Sequence, residues 1–170
     1  MSKAMASLQS GGSGSVNIAQ FEDFLDRATG EVFSTMMGVE CTLAAGVPFR
    51  DADEETISAV IGLAGALSGS LVLCTSSRAA MRVAETMMGV ALEQVDGMVR
   101  DAIGEVCNMV AGAWKGFDPS LASGCLLSTP TVVAGSSYEL FSQKAPIRIE
   151  RGYRFEEHVL SITITCEWQG

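Results

Sequence analysis

Basic side chains are scarce in this sequence: 11 Lys and Arg stand against 20 Asp and Glu, a formal net charge of −9 over 170 residues. Nucleic acids and anionic membrane surfaces are bound through Lys/Arg-rich patches, so both are set aside as partners; a basic protein surface is not. Metal-ligand and disulfide spacings are missing as well. The five cysteines (Cys41, Cys74, Cys107, Cys125, Cys166) are odd in number, widely spaced and without a C-x-x-C pair. They read as buried, reduced thiols of a cytoplasmic protein with no metal site of its own. The one histidine, His158, has no nearby Ser or Cys with a matching Asp, which argues against a catalytic triad. Gly62, Gly65 and Gly69 lack the Lys-Ser/Thr of a P-loop and the spacing of a dinucleotide fingerprint, so nucleotide binding is unsupported. No basic segment followed by an apolar run opens the chain; residues 1–15 read as a flexible leader instead of a signal peptide.

Residues 16–170 have the length for one domain with a real core, and the 48% hydrophobic content fits a globular chain. Asn17 is an N-cap for a helix over Ile18 to Met37, with Phe21, Leu25, Val32 and Met36 on its inner side and Gly38 as its stop. Val39 to Val47 reads as a strand and Pro48 to Glu55 as an acidic loop. Thr56 to Ser77 carries no charge and is long enough to cross a membrane. Gly62, Gly65, Ser68, Gly69 and Ser70 break it in the middle, so two buried strands joined by a turn explain it better. Ser76 or Ser77 then caps a helix to Met88, stopped at Gly89, and Leu92 to Asp96 connects onward. Asp118-Pro119 starts a loop. Leu121 to Leu127, Thr131 to Ala134, Ile147 to Phe155 and Val159 to Trp168 are strand candidates, the last alternating in LSITITCEW. The expected class is α+β: long helices packed against an antiparallel sheet.

The stretch Arg100 to Phe117 organises the rest. At 3.6 residues per turn, Val99, Ile103, Val106, Val110, Ala113, Trp114 and Phe117 form one broad apolar stripe. Asp101, Glu105, Asn108, Gly112 and Lys115 line up opposite. A solvated face is normally filled with Lys, Glu and Gln. This one has a carboxylate and a carboxamide one turn apart with Gly104, Ala111 and Gly112 beside them, small neighbours that let another molecule come close. Lys115 reads as a solvated charge at the helix C-terminus. The first long helix repeats the pattern: ATGEVFSTMMG at 28–38 aligns with AIGEVCNMVAG at 102–112. Two related halves are therefore expected, about 17–90 and 96–168, each with one long helix. Glu31 matches Glu105, but Ser34 stands where the second copy has Asn108. A serine hydroxyl has no fixed NH2 donor beside a carbonyl acceptor, so one site per chain is expected.

Asp101-x-x-x-Glu105-x-x-Asn108, the duplicated helix, the glycine-broken hairpin followed by a helix ending in Met-Met-Gly, and Pro130 further on resemble the CheX/CheC family of chemotaxis phosphatases. The resemblance covers nearly everything from Val16 to Trp168. With a single Glu-x-x-Asn helix the chain is similar to the CheX side. The resemblance implies a CheC-like fold and hydrolysis of the aspartyl-phosphate on a CheY-like receiver domain. It also implies a homodimer joined sheet edge to sheet edge, and Mg2+ on the receiver with no cofactor on this chain. Asn108 would orient the attacking water, the kind of task a side-chain amide performs in GTPases. Glu105 would pair with the receiver's lysine, and Asp101 would orient the helix surface or meet a basic rim residue. The other reading is a non-catalytic module on the same scaffold, like the flagellar-switch proteins, that binds the regulator without hydrolysing it.

Overall fold

The structure, a computed structural model, describes residues 17–45, 54–136, 138–140 and 144–169. The leader and most of the acidic loop at 48–53 lie outside these residues.

Helix α1 spans Ile18–Met37, with the Asn17 carboxamide accepting from the Gln20 amide and Gly38 closing it in the left-handed conformation. Glycine takes that conformation without a Cβ clash, which is why the stop was readable. Phe21, Leu25 and Val32 are buried, but the last turn presents Met37 inward and leaves Met36 44% exposed, reversing the expected choice. Strand β1 is short, Cys41–Leu43. The hairpin is β2, Thr56–Gly65, with β3, Leu67–Ser76. Helix α2, Ser77–Met88, is capped by Ser76 and stopped at Gly89. Helix α3 runs Gly97–Gly116, starting earlier than the sequence suggested because Asp96 caps it. A short helix α4, Pro119–Gly124, replaces the first part of the expected Leu121–Leu127 strand. Asp118 accepts from the Ser120 and Leu121 amides, and proline sits where a helix needs no N–H. The strands β4, Cys125–Leu127, β5, Thr131–Gly135, β6, Ile147–Phe155, and β7, His158–Trp168, complete the chain.

All strand pairs are antiparallel, in the order β1-β6-β7-β3-β2-β4, with β5 also on β2. Exchanging β1 with β4/β5, β2 with β6, and β3 with β7 reverses this order onto itself. The outer strands pair with distant segments of the chain, β1 with β6, and β4 and β5 with β2. Alternate residues of β2 (Ile57, Ala59, Ile61, Leu63) and β7 (Leu160, Ile162, Ile164) are buried in one core with α1, α2 and α3. The hairpin turn is pinned by α4: the Ala66 amide donates to the Gly124 carbonyl at 2.8 Å. Gly65, at φ +90°, is required there, since a Cβ would stand 2.2 Å from that same oxygen. The uncharged stretch is therefore a core hairpin, and no described helix is long and apolar enough to cross a membrane.

Candidate functional site

The rotation of α3 about its own axis decides which side chains leave the core. Val99, Ile103, Val106, Val110 and Trp114 are all buried, as the apolar stripe demanded. Two directional contacts fix the angle. The Trp114 indole N–H donates to the Phe21 carbonyl at 3.2 Å, and its ring meets Phe21 edge-on at 5.3 Å. The Cys107 thiol points the same way, its sulfur 3.6 Å from the Ala59 carbonyl of β2. With these residues held inward, Asp101 and Glu105 are exposed, and Asn108 and Gly112 are half-buried on the outer face. Residues three and four apart on a helix have Cβ atoms about 5–6 Å apart, so Glu105 and Asn108 act at one place. Among the described residues, no group bonds to the side chains of Asp101, Glu105 or Asn108.

Three sequence expectations change here. Gly104 is buried: a Cβ on it would sit 3.3 Å from Val132 and 3.4 Å from Pro130, so the chain's own β5 and the turn before it close on this flank of the helix. Ala111 is fully buried as well. Both lie about 70–90° round the helix from the Glu105–Asn108 line, far enough to reach the core side. Neither can touch a visitor, and the open neighbour is Gly112 alone. Lys115 is not a free solvated charge either. Its ammonium donates to the Ala122 and Cys125 carbonyls at 2.9 and 2.8 Å, tying the end of α4 and the start of β4 to α3.

Pro130, a sequence landmark, has a structural task beside the site. The turn that carries it is held by Ser128, whose hydroxyl accepts from the Gly62 amide at 2.8 Å and donates to the Thr129 carbonyl at 2.9 Å. Pro130 then packs over Gly104, next to Glu105. Nothing in the spacing of Ser128 announced this contact across 66 residues of chain.

The face offers a carboxylate acceptor and a carboxamide that donates and accepts, the groups needed to hold a cation and a water molecule. It offers no nucleophile. Cys107, next to Asn108, is fully buried, and burial pushes its thiol up to about 12. His158 rests on Phe155 with ring centroids 5.4 Å apart and its Nε2 3.7 Å from Glu157. Neighbouring Glu156 is held by Arg82 in a two-point pair at 2.7 and 2.8 Å, a brace between the β6–β7 turn and α2. An open cleft of about 480 Å³ lies by β1, lined by Val39, Glu40, Thr42, Arg154 and Glu156; no α3 residue lines it.

An α+β scaffold with an antiparallel sheet thus carries an acid and an amide on the outer face of α3. The chain belongs to the chemotaxis phosphatase CheX family, whose model matches residues 57–150. It is 34% identical over 105 residues to the CheY-P phosphatase CheX of Thermotoga maritima, covering 59% of this chain and 68% of that one. The fold matches chemotaxis protein CheX from Vibrio vulnificus at a TM-score of 0.75 and 23% identity, over 90% of this chain and all of that one. It also matches CheX in the CheX–CheY–BeF3–Mg2+ complex from Borrelia burgdorferi at a TM-score of 0.67 and 21% identity, over 89% and 99% of the two chains.

Proposed function

We propose that this protein is a phosphatase that hydrolyses the aspartyl-phosphate of a CheY-like receiver, using the outer face of α3. The observation that carries the reading is the pair Glu105 and Asn108, one turn apart and unbonded on the exposed side of a helix whose rotation is locked, in a chain of this family. An acyl phosphate is already activated, and the receiver supplies Mg2+ and a lysine beside it. What it lacks is a water aligned for in-line attack. Asn108 positions that water, donating to and accepting from it. Placing a nucleophile in near-attack geometry lowers a barrier by up to roughly 7–11 kcal/mol in ideal cases, and a fraction of that suffices here. Glu105 pairs with the receiver's lysine and fixes the register of Asn108; once desolvated by docking, such a pair contributes more than the 0–1 kcal/mol typical of exposed ones. Asp101, one turn earlier, meets a basic rim residue.

A module that only binds the receiver has no use for a carboxamide at this one position. No metal of this chain takes part. The outermost strands of the sheet among the described residues, β1 on one side and β4 with β5 on the other, suit a homodimer joined edge to edge. Five free, buried cysteines suit the reducing cytoplasm, where receivers work. Mixing the protein with a phosphorylated CheY-like receiver and following phosphate release tests the reading. Release faster than the receiver's own supports it, and an unchanged rate with intact binding leaves only the binding module.

A further inference from the structure

We infer that Gly112 is a clearance residue: its bare backbone lets α3 come close enough to a phosphorylated receiver for Asn108 to reach the phosphoryl group. The inference rests on the receiver-phosphatase reading and names the residue that sets the docking distance. Helix α3 contains four glycines, and the fold accounts for three of them. Gly97 and Gly116 are its first and last residues, where helix propensity counts least. Gly104 faces Val132 and Pro130, which a Cβ would meet at 3.3 and 3.4 Å, so that they would have to give way to it. Gly112 lies inside the helix, where glycine is the least favourable residue after proline. A Cβ there meets nothing within 4 Å, and its φ is not positive, so neither packing nor backbone geometry asks for glycine.

The position of Gly112 supplies the missing reason. It is four residues after Asn108 on the same outer stripe. Helical side chains lean toward the N-terminus and cover the turn before their own Cα. Any side chain at 112 would lean over Asn108. An asparagine amide ends only two bonds beyond Cβ, shorter than most surface side chains. A visitor propped off by a leucine or lysine at 112 would stay out of its reach. The surface that fits against a bare helix backbone is main chain, here the receiver loop beside its phosphorylated aspartate.

The test compares Gly112→Ala, Gly112→Leu and, at the exposed helix end, Gly116→Ala. Expected for both Gly112 variants is a Tm raised by about 2–4 °C, because a better helix former replaces glycine and its Cβ meets nothing within 4 Å. Dephosphorylation should move the opposite way. Gly112→Leu loses at least ~10-fold in kcat/KM, chiefly through KM and through weaker binding of a beryllofluoride-loaded receiver, and Gly112→Ala falls between it and wild type. Gly116→Ala keeps wild-type turnover. Higher stability with lower receiver affinity is a combination that mere structural damage does not produce. Wild-type kinetics in Gly112→Leu, or a lowered Tm accompanying its loss of activity, overturns the clearance role while leaving the phosphatase reading in place. A wild-type protein without effect on any phosphorylated receiver removes both.

Discussion

Replacing Trp114 tests the packing that aims the site. The indole is fully buried, donates to the Phe21 carbonyl and meets the Phe21 ring edge-on. Trp114→Phe keeps an aromatic ring for that contact but removes the N–H bond, a net contribution of about 0.5–1.5 kcal/mol. The Phe21 carbonyl lies in the first turn of α1 and can still accept from the helix, so the cost of leaving it unpaired is largely avoided. The smaller ring adds about 1 kcal/mol of lost contact and residual cavity. The sum is about 2 kcal/mol, which lowers Tm by roughly 4–8 °C for a chain of this size. Trp114→Ala removes the ring as well and costs about 3–5 kcal/mol, a large part of the 5–15 kcal/mol typical of a domain. Urea unfolding followed by circular dichroism measures both. Well below its Tm, Trp114→Phe keeps most of its receiver activity, because Cys107 and the aliphatic stripe still hold the rotation. A Trp114→Phe variant within 0.5 kcal/mol of wild type would refute the packing that positions α3.

Asp26 accepts from the Arg151 guanidinium and from the buried Tyr153 hydroxyl, joining α1 to β6. Asp26→Ala strips both partners and costs about 1–3 kcal/mol by thermal unfolding, after allowance for partial exposure. Stability also falls in acid. The hydrogen-bonded Arg82 guanidinium holds the Glu156 carboxyl below its usual range, and the Ser120 hydroxyl does the same for Asp118. A depressed carboxylate stabilises the fold above its unfolded pKa and stops doing so as pH falls through the folded value, so these contributions are intact above about pH 5 and fade below it. Tm measured against pH shows that decline, and Glu156→Gln makes it shallower.

Local signals carried much of the fold into view. Asn17, Gly38, the Ser76-Ser77 pair and Gly89 bounded α1 and α2 because a cap acts within one turn, and the strand expected over Ile147 to Phe155 is β6. Lys115 misled because the carbonyls it ties, Ala122 and Cys125, belong to a short helix that the apolar run Leu121–Leu127 disguised as a strand. Asp118 followed by proline was the available clue. Gly104 and Ala111 looked open because a helical wheel shows which way a residue points but not how far the core wraps round it. Closure of that flank by Pro130 and Val132 is a long-range contact, as are the pairings of β1 with β6 and of β5 with β2. Asp101, Glu105, Asn108 and Gly112 could be placed together because one helix carries all four.

The most direct test of the account is Asn108→Ala in single-turnover dephosphorylation of a receiver, with affinity measured in parallel on the beryllofluoride-loaded form. Affinity should stay near wild type, since Glu105 anchors the docked helix. The catalysed rate should fall on the order of 100-fold, as when a positioned donor is lost from other active sites. Phosphate loss at the wild-type rate in this variant would contradict the claim that the Asn108 amide places the water.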